Sequence, residues 1–459
     1  MQREHAGVRW EIQPDFAPFL ESVLQSPGEI VKQSPVKSVT RHQLGGRTFY
    51  LKRYLHSAVL FRSWKYYFKR TPAREEWLLA QLLEARQIPI VRHLALGERR
   101  TWTGIQESLL LTEGFSGTTL NLHPTVPAEA VLQFVELLHD RGVIQEDMHP
   151  GNILVRVKPL ELRLVDLDGI RVVDSLSAAE RRKNLAVLRM TFALPVPPEV
   201  EALSRTLRRA VLQTRSYRCL RRNRDFAPLD AGGLRWQLRL PFLEQRPAIQ
   251  AVLADPDAFL TRARPLKAGR TATVGAADGL VLKRFNFRKL ENLLKDLFRR
   301  SRARRAFRAA YHLELAGIPT PRSVAIASRR ALGFLLRSYL LMEEIAGAVD
   351  LGQLLRHGPP DLPLIRQTAG LIGRLHEEGF SHRDLKESNL VRGTNGLLYL
   401  IDLDALRFEA EIPEHRAALD LGRLARGMEK YPNVKPSHRL VFLLLYCRAR
   451  GLRHVPRRC

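Results

Sequence analysis

The chain has 459 residues, 45% of them hydrophobic, which is ordinary for a soluble globular protein and enough for two or three domains with their own cores. Its 74 Lys and Arg against 47 Asp and Glu give a formal charge of +27, which predicts an acidic partner: a phosphorylated glycolipid, an anionic membrane face or nucleic acid. Three unevenly spaced cysteines (Cys219, Cys447, Cys459) argue against a disulfide framework; no apolar leader follows Met1 and no uncharged apolar run reaches 18 residues, so neither a secretory signal nor a membrane span is expected.

Residues 1–30 read as a short helical lead-in. Val31–Val39 and Leu266–Val274 then each read as strand, turn, strand, and Gly45-Gly46 and Asp278-Gly279 mark the next hairpin turns. The third strand of each set carries a lysine, Lys52 in Leu51-Lys-Arg53 and Lys283 in Leu282-Lys-Arg284. Neither preceding turn has G-x-G-x-x-G. Ser34 and Pro35 stand there in one, Gly269 in the other; backbone N–H groups with Lys37 or Arg270 can still cradle a phosphate, and an ordinary hairpin tip is the equal alternative.

A basic segment follows each lysine. One is Phe61–Arg70; in the other, Leu290, Leu293, Leu294, Leu297 and Phe298 share a helical face within residues 284–305, which hold nine Lys or Arg and two acids. Such a helix can lie on an anionic membrane, although packing on its own lobe is the commoner use. Next come two aligned helices, Arg74–Leu83 and Arg304–Leu313, ending near Ile88-Pro89 and Ile318-Pro319. Glu76 faces inward by its spacing with Leu79 and Leu83 and is expected to pair with Lys52. Its counterpart is Ala306, so the second copy lacks that pair unless another carboxylate substitutes.

The strands Leu109–Glu113 and Tyr339–Glu343 precede Gly-containing segments at the place where a two-lobed fold puts its hinge, so Glu113 and Glu343 are expected at a nucleotide. Two amphipathic helices follow, with stripes Val131, Phe134, Val135, Leu138 and Ile365, Thr368, Ile372, Leu375, capped by Gly142 and Gly379. His139 and His376 read as packing or capping residues.

Each helix leads to a polar loop. Gln145-Glu-Asp-Met-His-Pro-Gly-Asn152 precedes Leu164-Val-Asp-Leu-Asp168, and Ser381-His-Arg-Asp-Leu-Lys-Glu-Ser-Asn389 precedes Leu400-Ile-Asp-Leu-Asp404. Phosphoryl transfer needs an acceptor for a hydroxyl proton, an oxygen ligand for Mg²⁺, and a carboxylate bridging metal and phosphates. Asp147, Asn152 and Asp166 fit in the first copy; Asp384, Asn389 and Asp402 fit in the second. The copies are offset by 231 residues at the lysines, 237 at the loop aspartates and 236 at the later aspartates. That near-constancy over three separated motifs means an internal duplication into two domains, expected at 1–222 and 264–459 with a partly ordered connector at 223–263.

With these motifs the chain resembles a tandem of protein-kinase-like domains, and more narrowly the bacterial lipopolysaccharide kinase family. Lys52, Glu76, Asp147, Asn152 and Asp166, then Lys283, the loop Ser381–Asn389, Asp402 and the Ile-Pro-Thr-Pro segment at 318–321 carry the resemblance. It implies an α+β fold of two bilobal domains, each with a small antiparallel-sheet N-lobe and a mostly helical C-lobe. It implies ATP and Mg²⁺ as cofactors, with Lys52 and Lys283 on the phosphates, Asp147 and Asp384 receiving the proton, and Lys386 near the transferring phosphate. It further implies a sugar or anionic glycolipid acceptor, a cytoplasmic location at the inner membrane face, and no specific nucleic acid. No A-P-E follows Asp-Leu-Asp and the tail is short, which favours a small acceptor over a protein. The first loop carries Glu146 and His149 where the second has Arg383 and Lys386, so one copy could be a degenerate scaffold. A tandem pseudokinase scaffold and a kinase of other acceptors are the alternatives.

Overall fold

The computed structural model of the protein describes residues 1–56, 66, 68–102, 104–123, 125–269, 271–286, 301–331 and 334–452. Most of the basic stretch after Lys52, the leucine stripe from Leu290 to Phe298, and Arg270 lie outside them. The chain divides into two compact units, Met1–Leu207 and Arg208–Cys459.

The first unit opens on a hairpin, not on the helical lead-in expected from the sequence. β1 (Gln2–His5) and β2 (Val8–Ile12) turn on Ala6 and Gly7, both with left-handed φ (53° and 71°), the geometry that suits a two-residue hairpin. Val8, Trp10 and Ile12 alternate inward, a period of two that no helix sustains. An α-helix forms only at Leu20–Gln25. With β3 (Gly28–Gln33), β4 (Lys37–Leu44), β5 (Arg47–Leu55), β6 (His93–Thr101) and β7 (Gly104–Glu113), the hairpin makes a seven-stranded antiparallel sheet in the order β1-β2-β6-β7-β5-β4-β3. The sheet is covered on both faces: Leu109 and Leu111 pack with Phe16 and Leu20, while Leu110 packs with Ala73 and Trp77 of the helix Pro72–Ala85.

Below it lie the short strands β8 (Thr118–Thr119), β9 (Val143–Gln145), β10 (Ile153–Val157), β11 (Leu160–Leu164) and β12 (Ile170–Val172). They pack with the helix Ala128–Asp140, whose predicted stripe of Val131, Phe134, Val135 and Leu138 is buried, and with the helix Ala178–Arg189. Gly142 follows the first of these helices at φ 69°, with Val173 O 2.0 Å from where a Cβ would stand, so only glycine fits.

The second unit repeats this plan from an earlier starting point than the motifs indicated. Residues 223–263, expected as a connector, supply β13 (Phe226–Ala231), β14 (Leu234–Arg239) and three short helices of the second unit. β15 (Arg264–Ala268), β16 (Ala272–Ala277), β17 (Leu280–Phe285), β18 (Ser323–Ala331) and β19 (Phe334–Glu343) complete a sheet in the order β13-β14-β18-β19-β17-β16-β15. This is the first sheet's order, strand for strand. Trp236 and Leu238 of β14 enter one core with Leu282 and Leu341, and that burial is what makes the stretch structure rather than linker. The C-lobe adds β20 (Val349–Asp350), β21 (Phe380–His382), β22 (Leu390–Arg392), β23 (Leu398–Leu400) and β24 (Leu406–Phe408) to the helices Leu351–His357, Leu362–Glu377, Glu414–Met428 and Pro436–Ala449. Among the described residues no helix is long and apolar enough to cross a membrane.

Burial lowers the pKa of several histidines in this unit, His376, His382 and His312 among them, and makes it acid-sensitive. His312, on the helix Arg302–Leu315, sits with ring centroids 4.7 Å from Phe380 and 5.0 Å from Phe408. Burial, helped by the nearby Arg308 charge, lowers its pKa to about 4. The unfolded chain therefore binds a proton below the ordinary value of 6.5 that the fold refuses until about 4. The contribution of His312 is constant above 6.5, turns destabilising as the pH drops through that window, and levels off below it, by about 3 kcal/mol in all. In urea titrations from pH 7 to 4, His312→Phe is expected to flatten this slope; an unchanged slope would refute the assignment.

Candidate active site

In the first unit β5 places Lys52 beneath the helix Pro72–Ala85. Lys52 Nζ donates to Glu76 Oε1 at 2.6 Å, the pair anticipated from helical spacing. Two residues join it that the sequence did not single out. His93, buried on β6, lies with Nε2 3.4 Å from the same carboxylate oxygen, and Tyr54 donates its hydroxyl to Glu76 Oε2 at 3.4 Å. Burial pushes the Glu76 carboxyl up, but the His93 hydrogen bond and the Lys52 ammonium outweigh it and hold the pKa at about 2. Burial, with Glu76, Asp166 and Asp168 nearby, raises the Tyr54 phenol, so it remains a donor.

The loop below has a backbone-defined shape. Asn152 Nδ2 donates to Asp147 O at 3.2 Å, and Val165 N donates to Asn152 O at 3.1 Å, which ties the loop to the strand leading into Asp166. Gln145, fully buried, donates its amide to the carbonyls of Asp166 and Asp168 at 2.9 and 3.0 Å. The carboxylate of Asp147 is left 82% exposed, with His149 Nε2 3.9 Å away. The His149 Nδ1 accepts from Gly151 N at 3.0 Å, which leaves the proton on Nε2 in the neutral ring.

The second unit builds the same place with a different ion-pair pattern. Lys283 on β17 pairs with Asp402 Oδ1 and donates to Asp404 Oδ1 at 3.2 Å. Ala306 stands where the first unit has Glu76 and is buried. In place of a helix carboxylate, Lys283 thus meets two carboxylates from the segment after β23, Asp402 and Asp404. Asn389 Nδ2 donates to Asp384 O at 2.8 Å, and Ile401 N donates to Asn389 O at 2.9 Å. Lys386 Nζ donates to Asp384 Oδ2 at 2.9 Å. Asp402 adopts a left-handed backbone (φ 62°), uncommon for a non-glycine residue and a form of strain that surrounding packing must hold.

A cavity of about 660 Å³ between the lobes of this unit is lined by Lys283, Glu343, Lys386, Asn389 and Asp402. Lys267 and Leu266 of the hairpin also line it. The Glu343 and Glu113 carboxylates are committed to arginines, Arg246 at 2.8 Å and Arg47 at 2.7 Å.

The supporting layer is duplicated too. His139 Nε2 bonds Asn184 Oδ1 at 2.9 Å, and Asn184 Nδ2 donates to Gln145 O at 2.6 Å. In the second unit His376 Nε2 lies 3.4 Å from Asp420 Oδ2, which accepts His382 N at 2.6 Å. Both histidines pack and brace, as expected. The Ile-Pro segments act as struts: Leu164 N donates to Pro89 O and Leu400 N to Pro319 O, at 2.9 and 3.0 Å, two residues before each aspartate.

Asn152 with Asp166, and Asn389 with Asp402, offer hard oxygen donors that suit a small divalent cation. Each asparagine spends its NH₂ on the loop backbone, leaving its amide oxygen as acceptor. The donor chemistry fits Mg²⁺. Among the described residues no cluster of three or more His, Cys, Asp or Glu is placed to hold a metal ion.

The model of the lipopolysaccharide kinase (Kdo/WaaP) family matches residues 21–208 and again 268–440. Among curated proteins, 3-deoxy-D-manno-octulosonic acid kinase of Vibrio vulnificus (strain YJ016) is 32% identical over 144 residues, 30% of this chain and 59% of that protein. The protein of the same name from Stenotrophomonas maltophilia (strain K279a) is 32% identical over 133 residues, 28% and 51% of the two chains. The chain thus spans between 51% and 59% of the length of these two relatives. A solved structure titled "WaaP in complex with acyl carrier protein" is 20% identical, with TM-score 0.32, covering 42% of this chain and 85% of that one.

Proposed function

The chain belongs to the lipopolysaccharide kinase (Kdo/WaaP) family, and from that premise we propose that it is an ATP-dependent phosphotransferase whose acceptor is a sugar hydroxyl of the lipopolysaccharide core or a related envelope glycolipid. The observation that carries this reading is the second cleft, where a lysine, an asparagine and an aspartate from separate parts of the chain line one cavity above an exposed loop carboxylate.

Bound Mg²⁺ and ATP supply the phosphoryl donor and the cation that neutralises its charge. Asn152 and Asp166 hold the metal in the first unit, Asn389 and Asp402 in the second. Lys52 and Lys283 neutralise the phosphates. Asp147 and Asp384 orient the acceptor hydroxyl and take its proton at a carboxylate oxygen. Lys386, which donates to Asp384 Oδ2 at 2.9 Å, would offset negative charge on the transferring phosphoryl group. The net charge of +27 favours an anionic glycolipid and a working position at the cytoplasmic membrane face.

Mass spectrometry of envelope glycolipids from a strain lacking the gene tests the acceptor. One phosphate is expected to be missing from the core sugars, restored by the intact gene and not by one carrying Asp147→Asn with Asp384→Asn. An unchanged phosphate pattern would overturn the acceptor assignment.

A further inference from the structure

Lys283 must be held across its cleft to meet a phosphate, yet the helix above it offers no acid. Ala306 and Ala310 are the side chains that the helix Arg302–Leu315 presents to the cavity. Its carboxylate, Glu314, is taken by Arg239 at 2.8 and 2.9 Å. We propose that Asp404, clamped by Arg302, is the positioning residue for Lys283 in the second cleft, the part played by Glu76 in the first.

The geometry divides the Asp404 carboxylate cleanly. Oδ1 accepts from Lys283 at 3.2 Å; Oδ2 accepts from Arg302 Nε at 2.8 Å and also from its Nη2. The side chain is only 7% exposed, and a carboxylate so buried is stable only when its lone pairs are filled by cations or donors. Phe285 underlies both cations, 4.8 Å from Lys283 Nζ and 5.1 Å from the Arg302 guanidinium carbon. In the first unit the same strand position is Tyr54, whose hydroxyl serves Glu76. Pro72 stands there at the place of Arg302, and Asp168, the counterpart of Asp404, is exposed. The polarity has been exchanged: helix anion and free loop in one unit, helix cation and buried loop anion in the other.

The exchange has a use in the reaction proposed above, on which this inference rests. Asp402 also holds Lys283, but it is the residue assigned to the metal. Asp404 keeps the lysine anchored whatever Asp402 binds.

The test uses the full chain carrying Asp147→Asn, so that turnover reports the second cleft. Asp404→Asn is expected to raise the KM for ATP about tenfold, as loss of one charged hydrogen bond implies, and to lower kcat as well. Arg302→Ala is expected to do the same more weakly. Adding Ala306→Glu to Asp404→Asn is expected to recover at least half of the loss, because a carboxylate returns to the helix facing the cleft. Binding of a fluorescent ATP analogue in a Lys52→Ala background is expected to follow the same order. Kinetics and binding within twofold of the parent in Asp404→Asn would overturn the inference, as would a loss that Ala306→Glu leaves untouched. If the parent itself neither binds the analogue nor turns over ATP, the functional reading fails along with it, a result readily told apart from the other two.

Discussion

Replacing Asp147 and Asp384 together by asparagine is expected to abolish Mg²⁺-dependent phosphoryl transfer, while each single replacement leaves the rate of the other cleft. The expected loss at each cleft is about 10²- to 10⁴-fold in kcat, the usual contribution of a positioned proton acceptor. The substitution is clean because neither loop depends on these carboxylates for its shape. Asn152 and Asn389 bond to the backbone oxygens of the two aspartates. The Asp147 side chain is 82% exposed and that of Asp384 53%. In the second loop the change removes one exposed pair, Asp384 with Lys386, worth at most about 1 kcal/mol. Unfolding curves of the variants should therefore overlay the parent while ADP release disappears. A double variant that still turns over ATP at the parental rate would dismiss the loop aspartates from the mechanism.

Asp420→Ala is expected to be the most damaging single change in the second unit, costing about 3–5 kcal/mol. Asp420 is wholly buried on the helix Glu414–Met428. One oxygen takes Arg423 Nη1 at 2.7 Å, and the other takes His382 N at 2.6 Å with His376 Nε2 at 3.4 Å. Truncation strands a buried N–H at the start of the loop that carries Asp384, beside an arginine that has lost its partner. Chemical denaturation should show the loss in the transition of the second unit, with activity of the first cleft retained. Asp420→Asn should be far milder, since the first unit already uses Asn184 at this place with a similar histidine bond. Equal stability of Asp420→Ala and the parent would remove the residue from the scaffold described here.

What the sequence made legible was whatever repeats at fixed spacing. Lys52 with Glu76, the two Asp-x₄-Asn loops and the later aspartates could be found by setting one half of the chain on the other. The helix stripes followed from a period of 3.6, and Gly142 and Gly379 from the need for a left-handed cap. Bonds made once, between distant residues, left no such trace. Arg302 and Asp404 are 102 positions apart and have no ion-paired counterpart in the other half, so only the folded chain joins them. His93 and Tyr54 belong to no repeated motif, and only the sheet puts them on Glu76. The hairpin Phe226–Arg239 was misread because its turn, Asp230-Ala-Gly-Gly233, resembles the punctuation of a linker, while its partner strand β18 lies some 90 residues on.

That hairpin decides how the protein can be cut. β14 supplies the hydrogen-bonded neighbour of Ala325–Ala327 on β18 and roofs a core with Trp236, which is completely shielded from solvent. A recombinant fragment beginning at residue 264 would carry every motif of the second half, yet bare a row of unpaired amides along β18 beside an open apolar face, an invitation to strand capture and precipitation. A fragment beginning ahead of Asn223 would bring its own edge and remain dispersed.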